Sequence, residues 1–469
     1  MCGICGLVSF NGYSRNLERV CAMLTLLRHR GYDSWGIANY SPGTTKIRTQ
    51  RYTGSVPASP DPVTYEKDKD EAGISFYIGH TRYTTRGSHE CHSQAQPLMS
   101  RDGAIALVHN GQVECDQSIH GSDTEYLLET LEDCLASEDT LESAFQQLFI
   151  TLDGAYACIA VVENLGLLAF RDPWGTRPLC IGTTDNGDIM IASESCAFPD
   201  IHPDDFFNVE PGEVVLITGN GDVRLIEPLI EREEEKFPAS PCLFEFIYLA
   251  HDDSVIDGIS VKQAREEMGK MMAPLVKDLD IDLVIPVPHT PVLAGKVLAK
   301  TLGTGYVDLL KVHSRQARRE NRTFILPTQT AREQAVKQKF AVKSQEIAKC
   351  RGKNLLVLDD SIVRGTTLKH VVKLIKTAVK PAKIYVASLS PAVISPNRFG
   401  IAIPTKDKLI AHSPTASDSA AISKMVASRL EVDGGVIYQS LETLEKGLKS
   451  LCNGVLVEGF KNSVFRHNK

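Results

Sequence analysis

The stretch that most constrains the fold is an apolar run ending in two adjacent acids, Leu-Leu-Val-Leu-Asp-Asp at residues 355–360. Such a run is typical of a β-strand buried on both faces of a parallel sheet. A Gly- and Thr-rich turn follows at residues 365–367 and opens a helical pattern. Carboxylates at a strand end can accept hydrogen bonds from ribose hydroxyls, and N–H groups at a helix start can bind a phosphate. The string therefore predicts a sugar-phosphate site.

Other interpretations of this string are less consistent with the sequence. It contains neither the Gly-x-Gly-x-x-Gly fingerprint of a dinucleotide site nor a Walker A pattern. A purely structural acid pair at a buried strand end would carry a large desolvation cost. A ligand-binding role is therefore favoured.

The order of the predicted strands and helices divides the chain into domains. Its 469 residues are enough for two or three of them. Short strands dominate residues 4–217 and predict an α+β domain of stacked antiparallel sheets. A charged run at residues 231–236 interrupts this pattern, and strands then alternate with helices, which predicts an α/β domain with a parallel sheet. The predicted domains are residues 2–236 and 240–425, followed by a helical extension at 426–469 that packs on the second domain.

Hydrophobic periodicity places individual elements in both domains. In the first, it predicts strands at 4–10, 75–79, 105–108, 155–162, 167–170, 189–192 and 213–217, and helices at 16–27, 124–131 and 141–148. In the second, it predicts strands at 283–287, 354–358 and 383–389, and helices at 292–302 and 368–378.

Charge and composition exclude several classes of protein. The chain has 51 Lys and Arg against 58 Asp and Glu, a net charge of −7, which argues against a nucleic-acid or membrane-surface partner. No apolar stretch of the sequence reaches the roughly 20 residues of a membrane helix, and the N-terminus lacks signal-peptide features. The 12 cysteines are scattered and suit a reducing compartment. We therefore expect a cytoplasmic protein without disulfides.

Cys2 is the candidate nucleophile of the first domain. Removal of Met1 would make Cys2 the N-terminal residue, with a free α-amine whose pKa is about 7.7–8.0. The neutral fraction of that amine can act as a general base for the thiol of the same residue. The alternative is a metal or redox role for Cys2 and Cys5, but a second cysteine pair or a thioredoxin-like context is missing from the sequence.

Four residues downstream supply the groups that such a nucleophile needs. Arg82 can hold a carboxylate in a bidentate manner, and Asp123 can pair with an ammonium group, so together they can bind an α-amino acid. Asn110 and the N–H of Gly111 can form an oxyanion hole, because glycine lets the backbone approach a tetrahedral intermediate closely.

These residues carry a family resemblance. Residues 2–4, 28–34, 82, 110–111, 123, 171–179 and 193–195 together resemble the class II, N-terminal-nucleophile (Ntn) glutamine amidotransferases. The resemblance implies a four-layer αββα Ntn-hydrolase fold and a thiol that attacks the side-chain amide of glutamine and releases ammonia. It also implies that Arg30 and Thr85 contact glutamine. Arg86 departs from the small residue that is common in that family.

The second domain carries its own resemblance. The string at 355–367 resembles the phosphoribosylpyrophosphate (PRPP) loop of the type I phosphoribosyltransferases, and residues 285–290 resemble their pyrophosphate loop. Thr290 with the two acids would then position one Mg²⁺ per subunit, and His289 departs from the acid that is usual beside it. The implied PRPP ligands in the loop are Asp359, Asp360, Ser361, Val363, Arg364, Gly365, Thr366 and Thr367.

A basic stretch at residues 315–339 stands out in an acidic chain. A nucleic-acid interface would have interleaved aromatic residues and a basic domain, so a lid that closes over pyrophosphate is the favoured interpretation. Parts of the stretch resemble the flexible catalytic loop of the amidophosphoribosyltransferases, which implies PRPP contacts from Arg322, Gln329 and Lys339. The residues before those parts lack that family's Tyr-Val-Gly.

Both domains together resemble the amidophosphoribosyltransferase family over essentially the whole chain. The implied reaction converts PRPP, glutamine and water to 5-phosphoribosylamine, glutamate and pyrophosphate, the first committed step of de novo purine synthesis. The resemblance also implies a homo-oligomer, a dimer or tetramer, with feedback inhibition by purine nucleotides. Some members bind a [4Fe–4S] cluster, but only Cys242 occupies a matching position, so we predict no iron–sulfur cluster.

Three alternatives remain open from the sequence. Another class II amidotransferase is opposed by the string at 359–367. A PRPP-sensing regulator without turnover is opposed by the intact set that includes Cys2, Arg82 and Asn110. A specialised paralogue that uses another phosphoribosyl donor is left open by His289.

Overall fold

The computed structural model describes residues 1–10, 15–43, 46–57, 73–84, 94–116, 118–198, 201–202, 205–227, 240–312, 339–397, 399–401, 403, 405–413 and 418–451. We call residues 1–227 the N-terminal half and residues 240–451 the C-terminal half. The predicted linker at 231–236 lies outside the described residues, as do Thr85, Arg86, Arg322 and Gln329.

The N-terminal half contains two antiparallel sheets. Its strands are β1 Gly3–Ser9, β2 Ser34–Tyr40, β3 Arg48–Thr53, β4 Ser75–Arg82, β5 Leu98–Met99, β6 Ile105–Val113, β7 Gly154–Val162, β8 Gly166–Arg171, β9 Cys180–Thr183, β10 Ile189–Ala192, β11 Phe206–Asn208, β12 Val214–Thr218 and β13 Val223–Ile226. Within the described ranges, seven strands form the first sheet in the order β11-β9-β10-β1-β4-β2-β3, and six form the second in the order β13-β12-β8-β7-β6-β5.

The two sheets stack between helices and give four layers. The helices are α1 Asn16–Leu26, α2 Asp123–Ser137 and α3 Leu141–Thr151. Apolar side chains such as Ile4 and Ile159 fill the space between the sheets. Helix α1 packs on the outer face of the first sheet, and α2 and α3 pack on that of the second. The αββα layering that the family resemblance implied is therefore confirmed.

Strands β2 and β3 were not predicted from the sequence. Strand β2 has the sequence Ser-Trp-Gly-Ile-Ala-Asn-Tyr and pairs with both β3 and β4. Six of its seven residues are buried, so the polar–apolar alternation that signals a half-exposed strand is absent. Because polar and small residues are buried here by tertiary packing, the pattern alone does not reveal the strand.

The C-terminal half contains a parallel sheet. The strands of this half are β14 Val255–Ile256, β15 Ile259–Ser260, β16 Leu283–Pro286, β17 Gly305–Tyr306, β18 Leu310–Val312, β19 Phe340–Val342, β20 Asn354–Asp359, β21 Lys383–Ser388 and β22 Val436–Tyr438. Its helices are α4 Val261–Val276, α5 Val292–Leu302, α6 Ile347–Cys350, α7 Thr366–Val379, α8 Ser419–Leu430 and α9 Leu441–Lys449. In the part of the chain that is described, five parallel strands have the order β17-β16-β20-β21-β22, and helices cover both faces. The predicted α/β architecture is confirmed.

The segment after residue 425 differs from the predicted helical extension. Residue 425 falls inside α8, and Val436–Tyr438 forms strand β22, which pairs in parallel with β21. A three-residue strand is too short to show a period in the sequence. Pairing with the already formed β21 is what makes it a strand, so this correction comes from tertiary contacts.

Candidate active site

Cys2 lies directly before β1 and is fixed through its backbone. Its N–H donates to Asn110 Oδ1 at 3.2 Å, and its carbonyl oxygen accepts from Arg30 Nε at 2.8 Å. The thiol sulfur lies 3.8 Å from the carbonyl oxygen of Tyr83. Strand β1 pairs with β4 so that Gly3 is opposite Thr81, which brings the end of β4 beside Cys2.

Asn110 and Gly111 lie on β6, close to the backbone of Cys2. The Asn110 side chain is buried, and its Nδ2 has no hydrogen-bond partner among the described residues. Gly111 has a φ of +152°, and an added Cβ would lie 1.9 Å from the carbonyl oxygen of Ala155 on β7. A side chain is therefore excluded at position 111, and a buried donor of Asn110 is available for a ligand.

Arg82 and Asp123 lie at the ends of the elements that flank Asn110 and Gly111. Arg82 ends β4 and is buried; its Nη2 donates to Gln94 Oε1 at 2.6 Å, whereas Nη1 lacks a partner within the described ranges. Asp123 begins α2 and accepts from the N–H of Val113 at 3.3 Å and from that of Thr124 at 3.0 Å. The structure thus gathers Cys2, Asn110, Gly111, Arg82 and Asp123 around the ends of β1, β4 and β6.

Arg30 was predicted to contact glutamine, but its guanidinium group is surrounded by protein groups. Its side chain is fully buried, and its guanidinium donates to the carbonyl of Cys2, to Glu194 and to Glu245. Protein groups occupy these donors, so the expected contact with glutamine is not supported. The bond to Cys2 instead points to a role in holding the nucleophile.

Two buried histidines lie on β4 and β6. Burial lowers the pKa of His80 well below its usual value, and the nearby Arg82 charge lowers it further. Burial also lowers the pKa of His109. Both rings are therefore neutral at pH 7 and supply no positive charge to this site.

The second predicted site lies at the carboxyl end of β20. Asp359 ends that strand, and the predicted PRPP residues line a cavity of about 390 Å³. The lining includes every loop residue named from the sequence, together with Thr290 and Lys339: Asp359, Asp360, Ser361, Val363, Arg364, Gly365, Thr366 and Thr367. His289 lines the same cavity.

The two acids in this cavity are electrostatically strained. Burial raises the pKa of Asp359 well above its usual value, and the charge of Asp360 raises it further. Burial also raises the pKa of Asp360, to about 6. Lys339 faces both carboxylates, and burial lowers the pKa of its own ammonium group. Such a pair of acids is poised to bind cations or hydroxyl donors.

Gly365 shapes the turn between the acids and helix α7. It has a φ of +74°, and an added Cβ would lie 2.2 Å from Ile410 Cδ1. Glycine therefore lets the backbone turn tightly at the start of a 14-residue helix whose first residue is Thr366. The first residues of that helix line the cavity, and a helix N-terminus of this kind can bind a phosphate.

The cavity also reaches residues next to Cys2. Met1 and Tyr83 from the N-terminal half line it together with the two acids of the C-terminal half. Met1 is only 2% exposed and packs with Phe244 in the apolar core of the C-terminal half. One cavity is therefore lined both by residues next to Cys2 and by the residues of the predicted PRPP site.

Some residues of the site were missed by sequence reasoning. Glu245 bonds to Arg30, and Arg265 donates through Nη2 to the carbonyl of Ala250 at 2.8 Å while lining the cavity. Glu245 interrupts the apolar run Leu-Phe-Glu-Phe-Ile at 243–247. An isolated acid in such a run signals a buried charge that needs a partner, but the sequence does not show which partner.

Comparison with known proteins decides the family. A glutamine amidotransferase domain model matches residues 80–200. The amidophosphoribosyltransferase of Pasteurella multocida is 34% identical over 98% of this chain and 93% of its own length. That of Pseudomonas aeruginosa is 35% identical over 95% of this chain and 88% of its own length. The chain belongs to the amidophosphoribosyltransferase family.

Structural comparison agrees with membership of the amidophosphoribosyltransferase family. The glutamine PRPP amidotransferase from B. subtilis, solved in complex with ADP and GMP, is 29% identical and has a TM-score of 0.75 over 95% of this chain and 92% of that one. The chain is therefore an enzyme of the glycosyltransferase class, with an amidotransferase domain before a phosphoribosyltransferase domain. Among the described residues, no helix combines the length and apolar character needed to cross a bilayer.

The residues around the cavity fit the divalent cation implied by this family. Asp359, Asp360 and Thr290 offer carboxylate and hydroxyl oxygens, the ligand type that Mg²⁺ prefers. The burial that raises the pKa of both acids would be offset by a bound cation. The absence of an iron–sulfur cluster stays a prediction; Cys242 is buried in the apolar core of the C-terminal half.

Proposed function

We propose that this enzyme hydrolyses glutamine at Cys2 and transfers the ammonia to PRPP, which gives 5-phosphoribosylamine, glutamate and pyrophosphate. This would be the first step of de novo purine synthesis. The observation that carries the proposal is the cavity of about 390 Å³, whose wall includes both the neighbours of Cys2 and the two acids after β20. Ammonia released beside Cys2 would reach the pentose through this cavity.

In the glutamine site, the thiol of Cys2 would attack the side-chain amide. Asn110 Nδ2 and the N–H of Gly111 would stabilise the oxyanion, since the Nδ2 donor is buried and has no partner among the described residues. Arg82 would bind the α-carboxylate and Asp123 the α-ammonium group. Removal of Met1 would free the amine that serves as base and would clear part of the cavity wall that Met1 now forms.

Thr85 stays a proposed glutamine ligand.

In the PRPP site, the carboxylates would accept hydrogen bonds from the ribose hydroxyls. The backbone and hydroxyl groups of residues 361 and 363–367 would hold the 5-phosphate at the start of α7. Arg322, Gln329 and Lys339 would contact pyrophosphate. Mg²⁺ held by Thr290, Asp359 and Asp360 would supply neutralisation of pyrophosphate charge.

Regulation and assembly are also proposed by analogy. The B. subtilis relative is described as complexed with ADP and GMP, and a second solved relative, 29% identical with a TM-score of 0.74, is described as the allosteric regulatory enzyme of purine biosynthesis. We infer inhibition by purine nucleotides and a homo-oligomer, a dimer or tetramer, in the cytoplasm. Separate apolar cores support two domains joined at the charged run 231–236.

The test compares glutamine with ammonia as nitrogen source in the purified enzyme. Cys2→Ala should abolish phosphoribosylamine formation from glutamine and retain it from ammonium salts. Asp359→Asn should abolish both activities, whereas its basal glutamine hydrolysis should remain measurable. If wild-type enzyme forms no phosphoribosylamine from either source, the proposal fails, and a PRPP-sensing regulator or a paralogue with another phosphoribosyl donor is favoured.

A further inference from the structure

A buried group of charged side chains joins the two halves behind the glutamine site. Arg30 and Arg177 come from the N-terminal half, and Glu245 comes from a π-helical turn, Glu245–Leu249, in the C-terminal half. All three side chains are fully buried. Burying such charges is tolerated only when they are paired; Arg30 pairs with Glu194 of its own half and also with Glu245 of the other half.

One arm of this group ends at the nucleophile. Glu245 Oε2 accepts from Arg30 Nη1 at 3.0 Å, and Oε1 accepts from Nη2 at 3.0 Å. A bidentate pair fixes the plane of a guanidinium group. The direction of Nε is then fixed as well, and Nε donates to the carbonyl of Cys2 at 2.8 Å.

The other arm ends at β6, the strand that carries Asn110 and Gly111 and that we call the oxyanion strand. Glu245 Oε1 also accepts from Arg177 Nη1 at 3.2 Å, and Arg177 Nη2 donates to the carbonyl of Phe399. The next residue, Gly400, has a φ of +89° and packs so closely on Gly111 that an added Cβ would lie 2.8 Å from the Gly111 carbonyl oxygen.

The turn that presents Gly400 is itself held in place. Asn397 Oδ1 accepts from the N–H of Phe399 at 2.8 Å and from that of Ile401 at 2.9 Å. Because Asn110 Oδ1 binds the N–H of Cys2, the two arms close a ring that passes through the nucleophile, Glu245 and the oxyanion strand.

We propose that Glu245 is a positioning residue for glutamine hydrolysis. It holds the backbone of Cys2 through Arg30 and the backbone of Gly111 through Arg177 and the 399–401 turn. The C-terminal half thereby completes the geometry of the glutamine site without touching glutamine. This inference rests on the proposed role of Cys2 as the nucleophile.

The test substitutes Glu245→Gln, which keeps the size of the side chain and removes its charge. Misplacement of the nucleophile relative to the oxyanion donors should lower kcat for glutamine roughly 10- to 100-fold. The KM for glutamine should change little, because Arg82 and Asp123 are untouched. Activity with ammonia should stay within about twofold of wild type, since it does not use Cys2.

Asp257→Asn is the matched control. Asp257 accepts from Arg171 Nη1 at 2.8 Å and from Nη2 at 3.1 Å, so it forms another buried bidentate pair between the two halves, and these bonds do not involve Cys2. The control should lose stability but keep the wild-type ratio of glutamine to ammonia activity. Equal losses of that ratio in both variants, or equal losses of both activities in Glu245→Gln, would overturn the proposal.

Two further measurements keep the outcome decisive. If Glu245→Gln is insoluble, Arg177→Lys keeps the charge but breaks the bridge to Phe399, and it should lower the same ratio; an unchanged ratio contradicts the role of Glu245. Labelling of Cys2 by a diazoketone analogue of glutamine should slow in Glu245→Gln, whereas alkylation by iodoacetamide should not. This labelling does not depend on PRPP, so it separates failure of the inference from failure of the proposed transfer reaction.

Discussion

At the scale of single residues, the active site is held in arrangements that cost stability. Asp359 and Asp360 lie next to each other in a cavity where burial raises the pKa of each carboxyl group. Gly111 occupies a position that no side chain can share. Residues retained at such a cost are typical of functional sites, because the strain or repulsion is relieved only when a ligand binds.

Asp360→Asn should stabilise the ligand-free enzyme in a pH-dependent way. The folded-state pKa of Asp360 is about 6, above the usual value of 3.8, so folding favours the protonated acid. The wild-type protein therefore loses stability as pH rises from about 4 to about 6, and the variant lacks the part of this loss that Asp360 contributes. We expect a melting temperature about 2–4 °C higher than wild type at pH 7.5 and no difference near pH 4. Melting curves across this range test it, and a gain that does not vary with pH would contradict it.

Gly111→Ala should abolish glutamine use and strongly destabilise the fold. Its Cβ would overlap the carbonyl oxygen of Ala155, so we expect a loss of more than about 3 kcal/mol in unfolding free energy. Gly103→Ala is the control, since Gly103 has a φ of +80° but no described atom within 4 Å of an added Cβ. It should lose only about 1 kcal/mol. Denaturant unfolding that gives equal losses would refute the steric argument.

At the scale of elements, the candidate site residues lie where strands end and helices begin. Arg82 ends β4, Asp359 ends β20 and Asp123 begins α2. Ser122 caps α2 by accepting from the N–H of Glu125 at 3.1 Å. The position of Asp123 therefore depends on a well-formed first turn, which the cap and the positive end of the helix both support.

Ser122→Ala should weaken glutamine binding through this helix end. Loss of the cap should lower the unfolding free energy by about 1 kcal/mol and raise the KM for glutamine several-fold as the first turn frays. Ser440 caps α9 in the same way, by accepting from the N–H of Thr443 at 3.3 Å, so Ser440→Ala should cost similar stability with no change in KM. Steady-state kinetics of both variants decide the point; a KM that rises equally in both would rule out a local effect.

At the scale of the whole molecule, buried ion pairs connect the two halves. Arg171 bonds to Asp257, and Arg30 and Arg177 bond to Glu245. The shared cavity lies along the same boundary between the halves. Their relative placement is therefore set by charges that would be costly to separate, and this keeps the predicted PRPP site and the residues next to Cys2 beside one shared cavity.

Asp257→Asn should lower the unfolding free energy by about 3–5 kcal/mol, because it leaves the Arg171 charge buried without its acid. Arg171 also donates to the carbonyl of Val209 at 2.7 Å, and that bond does not replace the lost charge. Urea unfolding followed by circular dichroism measures the change. A loss below about 1 kcal/mol would mean that this pair contributes little to holding the halves together.

Much of the architecture follows from local sequence. The helix predicted at 292–302 matches the structure, because its apolar residues recur with the helical period that gives one buried and one exposed face. The strand predicted at 189–192 also matches, because its residues form a short apolar run. Strand β2 and the edge strand β22 were missed, since neither carries a local period. Pairing with neighbouring strands in the folded sheet, including β4 for β2 and β21 for β22, determines both.

The chemistry of the site divides in the same way. By itself, the sequence determined the thiol at position 2, the glycine after Asn110 and the acids before a Gly- and Thr-rich turn, because each motif is contiguous and its chemistry is local. Only the tertiary structure showed that Arg30 bonds to the carbonyl of Cys2 and to Glu245, because Glu245 is 215 residues away along the chain. The tertiary fold determines which charged side chains are buried next to each other, and the positions of those residues in the sequence do not indicate the pairing.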